Sequence, residues 1–318
     1  MNRIVPGVLA GAVVLAAAPA VASAAEKPGA STGLAGSITP QSAVLTGSVN
    51  PRGTTTRYRF DLGTTTKYGT KTAPQSAGGG TSPVAATTPV GGLVPNTTYH
   101  YRLVASSRAG TVRGADRTFR TPKQPLGFSV ALAPPEVALG EATTVTGSLG
   151  GTGAAKRQVQ LQANPWPYTA GFATVGNAQI TTETGAFSFP LLGAAINTQY
   201  RVVTAGKDPV ISPVMTSSVL VDVDASVRTK TVNRGSRLRF AGKIHPALPG
   251  LPIAVQRSSN HKWRTVQGSV TRKGGQTYAT FATRVRISKE GRYRVFVAVP
   301  DGRLTANAST TMTIRFRR

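Results

Sequence analysis

The chain of 318 residues contains no cysteine. That excludes a disulfide framework, a thiol nucleophile and lipid attachment through a cysteine, and it argues against the small disulfide-dense secreted scaffolds. Acid is scarce as well: 11 Asp and Glu stand against 37 Lys and Arg, a net charge of +26. The three histidines, His100, His245 and His261, show no His-x3-His or His-Glu spacing of the kind metal sites use. No G-x-S-x-G and no P-loop is present, and Ala77-Gly78-Gly79-Gly80 lacks the lysine and following helix of a phosphate cradle. These absences predict a protein that is not an enzyme and uses no cofactor, no metal and no small-molecule substrate.

Long apolar runs are missing too, with one exception. Arg3 precedes an uncharged stretch, Ile4 to Val21, and Ala22-Ser23-Ala24 supplies small residues where a signal peptidase reads. The layout predicts an export signal over residues 1–25, cleaved after Ala24 or Ala25. An uncleaved anchor is the rival, but Pro6, Gly7, Gly11 and Pro19 disfavour a stable spanning helix. No second such stretch follows, so the mature chain is expected without a transmembrane segment, outside the cell or on its envelope. Export without cysteine fits a bacterial protein.

What is present is the pattern of β-structure. Glycine (35) and proline (22) recur too often to leave room for long helices, and no window sustains a 3.6-residue apolar period beyond the signal. Thr56-Arg57-Tyr58-Arg59-Phe60-Asp61-Leu62 and Tyr99-His100-Tyr101-Arg102-Leu103-Val104-Ala105 alternate with period two, placing one face inward and the other in water. His100 is thereby expected to face solvent. Thr118-Phe119-Arg120-Thr121-Pro122 closes the unit, and Lys123-Gln124-Pro125 reads as a linker.

Within that unit Leu93-Val94-Pro95-Asn96-Thr97-Thr98-Tyr99 resembles the L-x-P-x-T-x-Y turn of fibronectin type III domains. Leu45-Thr46-Gly47-Ser48-Val49-Asn50-Pro51-Arg52-Gly53 and Gly63-Thr64-Thr65-Thr66-Lys67-Tyr68-Gly69 are similar to its bacterial variant, so that the likeness covers roughly residues 30–122. The resemblance implies that Tyr99 is a structural tyrosine corner whose ring plugs the core and whose hydroxyl meets nearby backbone. The segment lacks the tryptophan many family members carry in an early strand.

The remainder repeats itself. Thr144–Leu149 aligns with Arg239–Ile244, Gln158–Gln162 with Pro252–Gln256, Phe172–Val175 with Trp263–Val266, and Tyr200–Val203 with Tyr293–Phe296. The offsets stay between 91 and 95 residues, a period suited to an immunoglobulin-like sandwich of about 100 residues. The expected organisation is all-β: a signal, a fibronectin type III-like domain (26–122), and two antiparallel Ig-like β-sandwiches (123–224 and 225–318) that resemble bacterial Ig-like repeats. Tyr200 and Tyr293 are expected to serve as corner tyrosines like Tyr99.

Two local features invite a ligand. Asn164-Pro165-Trp166-Pro167-Tyr168 could offer Trp166 and Tyr168 as a platform for sugar rings, or tuck an aromatic under the sandwich; the aligned copy has a polar loop there. Asp222-Val223-Asp224 puts two carboxylates on one side of a strand, either as a calcium pair or as a solvated edge.

Charge is the feature that separates the copies. Residues 26–122 carry 11 basic and 3 acidic side chains (+8), residues 123–224 carry 5 and 6 (−1), and residues 225–318 carry 20 and 2 (+18). In the last segment 15 of the 20 are arginine, whose planar fork pairs bidentately with phosphate and carboxylate. Arg228 and Lys230, Arg237 and Arg239, Arg284 and Arg286, Arg292 and Arg294, and Arg315 and Arg317 are i, i+2 pairs, each directed to one face of a strand. The first three pairs are expected to form a basic stripe across one sheet, with Arg294, Arg315 and Arg317 on the outer face of the other. Two functions fit: a structural or adhesive envelope module held electrostatically to anionic polymers, or a carbohydrate- or polyanion-binding protein with a defined ligand. A plain solvated surface is the alternative for the charge.

Overall fold

The structure, a computed structural model, describes residues 24–317, so the expected signal segment falls almost wholly outside the described residues. Among those residues every regular element is a strand. The chain divides into two compact units at Lys123/Gln124.

The first unit holds β1 (Gly29–Thr32), β2 (Ser42–Asn50), β3 (Thr56–Gly63), β4 (Thr70–Lys71), β5 (Gln75–Gly78), β6 (Val84–Gly91), β7 (Thr98–Ser107), β8 (Gly110–Arg113) and β9 (Arg117–Arg120). One sheet runs β1-β2-β6; the other runs β4-β3-β7-β8, with β5 on β3 and β9 on β7. The period-two alternation of β3 and β7 sends Phe60, Tyr101 and Leu103 inward, where each is fully buried opposite Leu45 and Val49. In place of a core tryptophan the rings of Phe60 and Tyr101 lie 6.5 Å apart, and Tyr101 meets Phe119 edge-on at 5.6 Å. Each such buried ring contributes roughly 1.5–3 kcal/mol through removal of apolar area from water.

The second unit contains two sandwiches of one strand order. The earlier comprises β10 (Gly127–Ala133), β11 (Glu136–Ala138), β12 (Thr143–Gly150), β13 (Gln158–Pro165), β14 (Ala173–Ile180), β15 (Ala186–Leu191), β16 (Thr198–Thr204) and β17 (Met215–Leu220), in sheets β10-β12-β15 and β11-β17-β16-β13-β14. The later comprises β18 (Asp222–Val227), β19 (Thr231–Val232), β20 (Arg237–His245), β21 (Pro252–Ser259), β22 (Lys262–Val270), β23 (Arg272–Lys273), β24 (Ala279–Arg286), β25 (Gly291–Val297), β26 (Asn307–Ala308) and β27 (Met312–Phe316). Its sheets run β18-β20-β24-β23 and β19-β27-β25-β21-β22. In both copies the chain leaves the first sheet after one strand and pairs in parallel with the last strand of the second, β11 on β17 and β19 on β27. The sequence repeat is therefore a repeat of topology. The first strand of the later sandwich, β18, starts at Asp222.

The earlier sandwich keeps its own core around Val145, Leu161 and Phe187, but its far end joins the core of the later one. Val137, Val219 and Val221 pack with Phe240, Val297 and Leu304 in one cluster. Buried Asn197 sits at the joint: its Oδ1 accepts from Val219 N–H at 2.6 Å, its Nδ2 donates to the Gly302 carbonyl at 2.9 Å, and its N–H donates to the Arg303 carbonyl at 2.9 Å. A buried amide satisfied on both sides fixes its neighbours in one geometry, since any unpaired buried group costs roughly 1–3 kcal/mol.

Candidate anion-binding surfaces

Register makes a ladder of arginines on the outer face of the β18-β20-β24-β23 sheet. Leu238, Phe240 and Val285 turn inward and are buried, which turns Arg237, Arg239, Arg284 and Arg286 outward, all exposed. Arg237 stands directly opposite Arg286, and Arg239 opposite Arg284. Side chains so opposed have Cβ atoms about 5 Å apart, and like charges there are destabilising. No ion pair or hydrogen bond among the described residues engages any of the four guanidinium groups. Next along the strands Ala241 faces Ala282, and then Lys243 faces Thr280, which also pairs with Arg272. A depression of about 280 Å³ is lined by Arg239, Ala282, Thr283 and Arg284.

Not all the expected contacts join this face. Arg228 and Lys230 are exposed, but they lie beyond the end of β18, where the chain crosses to the other sheet; the Lys230 carbonyl accepts from Arg315 N–H at 2.8 Å. The strand stripe therefore has two arginine pairs rather than three. Arg294 is also not a free contact. Its guanidinium lies 4.3 Å from the Trp263 ring centroid, its Nε donates to Gln256 Oε1 at 2.9 Å, and burial pulls its pKa down. The earlier copy has the same unit: Arg201 lies 4.2 Å from the Phe172 ring centroid and donates to Gln162 Oε1 at 2.8 Å. An arginine clipped between glutamine and an aromatic ring covers the outer sheet of both sandwiches, and its energy is that of a cation–π contact. Arg315 and Arg317 do remain exposed, beside a surface groove of about 730 Å³ that also holds Glu290, whose carboxylate accepts from Phe316 N–H at 3.2 Å.

Trp166 of the expected sugar platform is engaged by the protein itself. Trp166 Nε1–H donates to the Asp301 carbonyl at 2.8 Å, and Arg303 stacks 4.9 Å from the Trp166 ring centroid while pairing with Asp301 at 2.6 Å. Trp166 thus joins the two sandwiches of the second unit. Tyr168 is turned at a positive φ of 66°, and its carbonyl accepts from Asn164 Nδ2 at 3.1 Å.

The tyrosines divide. Tyr99 Oη accepts from Val94 N–H at 2.9 Å, five residues upstream in the L-x-P-x-T-x-Y turn. Tyr293 Oη donates to the Lys289 carbonyl at 2.6 Å, and burial raises its pKa. Tyr200 is half-buried, with Thr198 beside its hydroxyl, and it makes no such bond to backbone upstream.

Spacing alone concealed two histidine–carboxylate pairs. His100 Nδ1 meets Asp116 Oδ2 at 2.8 Å, and His245 Nδ1 meets Asp222 Oδ2 at 3.0 Å. His100 is therefore only partly open to solvent. Asp222 and Asp224 do share an outer face of β18, but Asp222 is spent on His245, and Asp224 stands opposite Lys243. Among the described residues no group of three or more metal-ligating side chains is present. His261 lies in the β21–β22 turn, at a positive φ of 59° beside Asn260.

The sheets define the class: tandem all-β sandwiches, antiparallel except for the β11–β17 and β19–β27 pairs. A scan against protein-family models finds no match, and a search of curated proteins finds none. Among solved structures, the FN1–FN3 domains of chicken CNTN1 are similar over 91% of this chain and 100% of that one, at 15% identity and a TM-score of 0.28.

Proposed function

We propose that the protein is an exported, non-catalytic string of β-sandwiches, held to an anionic polymer of the cell envelope through the outer face of its last sandwich. The observation that carries this reading is the pair of opposed arginine rungs, Arg237–Arg286 and Arg239–Arg284, with no carboxylate between them. Folding gains nothing from setting like charges face to face. A polyanion laid across the rungs removes that repulsion and accepts bidentate hydrogen bonds from each fork. The earlier sandwich has the same strand order at near-neutral charge, so the fold does not require the arginines. Export rests on the signal-like residues 1–25.

The test is retention of the full chain on teichoic acid-bearing cell walls across a salt series. Retention should fall steeply toward 1 M salt, where the screening length is about 3 Å. Replacement of Arg237, Arg239, Arg284 and Arg286 by serine should reduce low-salt retention by about tenfold or more, the loss of one or two charge-assisted contacts. Retention that ignores both salt and these substitutions rejects the reading.

A further inference from the structure

The first unit carries a second, differently built basic site. Asp61 points outward from β3 yet is buried, and both its oxygens are taken: Oδ1 accepts from Arg59 Nε at 3.1 Å, and Oδ2 from Arg102 Nη2 at 3.2 Å. One carboxylate thus orients two guanidinium groups and leaves their net charge positive. Arg102 is held further by the Tyr68 ring, 4.4 Å from its guanidinium carbon. Tyr68 is fixed in turn, since its Oη donates to Asp116 Oδ1 at 2.8 Å and the other Asp116 oxygen meets His100. Strand register completes the cluster. Lys71 of β4 stands opposite Asp61, and Arg113 of β8 is one strand removed from Arg59, across Val104. With Lys67 from the preceding loop they line a groove of about 330 Å³. The side chains of Lys67, Lys71 and Arg113 make no ion pair among the described residues.

We propose that this groove binds a phosphate group. It gathers five cations around one carboxylate, and that carboxylate is covered by the arginines it holds. A phosphate dianion balances more of this charge than a single carboxylate does. Arginines locked before binding lose little freedom on meeting it. The groove's one aromatic ring, Tyr68, is buried beneath Arg102, so no open ring face is left for stacking a sugar, and charge is what the site reads. The site is independent of the arginine ladder of the last sandwich.

The experiment titrates inorganic tripolyphosphate into the full chain carrying serine at Arg237, Arg239, Arg284 and Arg286, with citrate as the carboxylate of comparable charge. Calorimetry gives the affinity, and amide shifts locate the site. Tripolyphosphate should shift Lys71 and Arg113 and bind about tenfold more tightly than citrate. Adding Arg59→Gln and Arg113→Gln should weaken it by about tenfold or more. Exposed Lys71→Gln, which leaves the Asp61 cluster intact, should weaken it about threefold and guards against a folding defect in the arginine variant. Citrate binding as tightly as tripolyphosphate, or affinity unmoved by either groove variant, overturns the proposal. Disappearance of phosphate binding in the serine background alone would do so too, while leaving the envelope reading intact.

Discussion

Asp116 shows how one side chain fixes several others. Burial raises its pKa, but hydrogen bonds from His100 and Tyr68 and the charges of His100 and Arg102 outweigh that and hold it below 3.8. A carboxyl whose folded pKa is depressed stabilises the fold above its unfolded value, and that stability is lost as pH falls through the folded value. Asp116→Asn should therefore lower the melting temperature near neutral pH, by an amount matching less than about 1 kcal/mol because the site is partly open to water. The difference from the parent protein should shrink as pH drops below 3.8, and thermal melts across an acid series check this. The residue scale is also where the sequence was least legible. Arg294 has the same i, i+2 spacing as the ladder arginines, because alternation gives direction and says nothing of partners. A signal was present: Arg201 and Arg294, Gln162 and Gln256, and Phe172 and Trp263 all align between the copies, and a triplet that recurs in a neutral domain marks scaffolding.

Strands were the most legible elements, since period-two alternation of large apolar with polar residues admits one buried face. β3, β7, β20 and β24 lie where that alternation runs. The alternation ceased to inform where a chain leaves its sheet. Arg228 and Lys230 keep the spacing of a strand after Val227 has ended it, because the next pairing partner, β27, is in the other sheet. The opposed rungs make a prediction of stability with the sign opposite to that of binding. Replacing Arg237 and Arg284 by serine removes one arginine from each rung and should stabilise the protein by about 0.5 kcal/mol per rung at low ionic strength. The same double variant should hold less tightly to a polyanion. In 1 M salt the gain should vanish through screening. Urea unfolding at the two ionic strengths measures it, and a loss of stability at low salt would mean that the rungs support the fold.

At the scale of the molecule the copies differ in what lies beyond them. The earlier sandwich has a neighbour on its C-terminal side in the same compact unit, and its Pro165-Trp166-Pro167 stretch reaches that neighbour at Asp301. The later copy has a polar turn, Ser258 to Lys262, in the aligned place. This contrast was visible in the sequence, but its meaning required a partner 135 residues away, which no local pattern supplies. The joint is made of a shared apolar cluster, a tryptophan and the amide of Asn197, so the two sandwiches should unfold together. Calorimetry should show residues 124 onward melting in one transition. Asn197→Ala leaves the Val219 N–H and the Gly302 carbonyl without their partner and should cost about 2–4 kcal/mol, drawn from the joint rather than from either core. Loss confined to the joint uncouples the domains, so the variant's transition should separate into two, each near the stability of its own core. A single transition merely shifted downward would instead mean that the shared cluster of Val137, Val219 and Val221 couples the sandwiches without the amide.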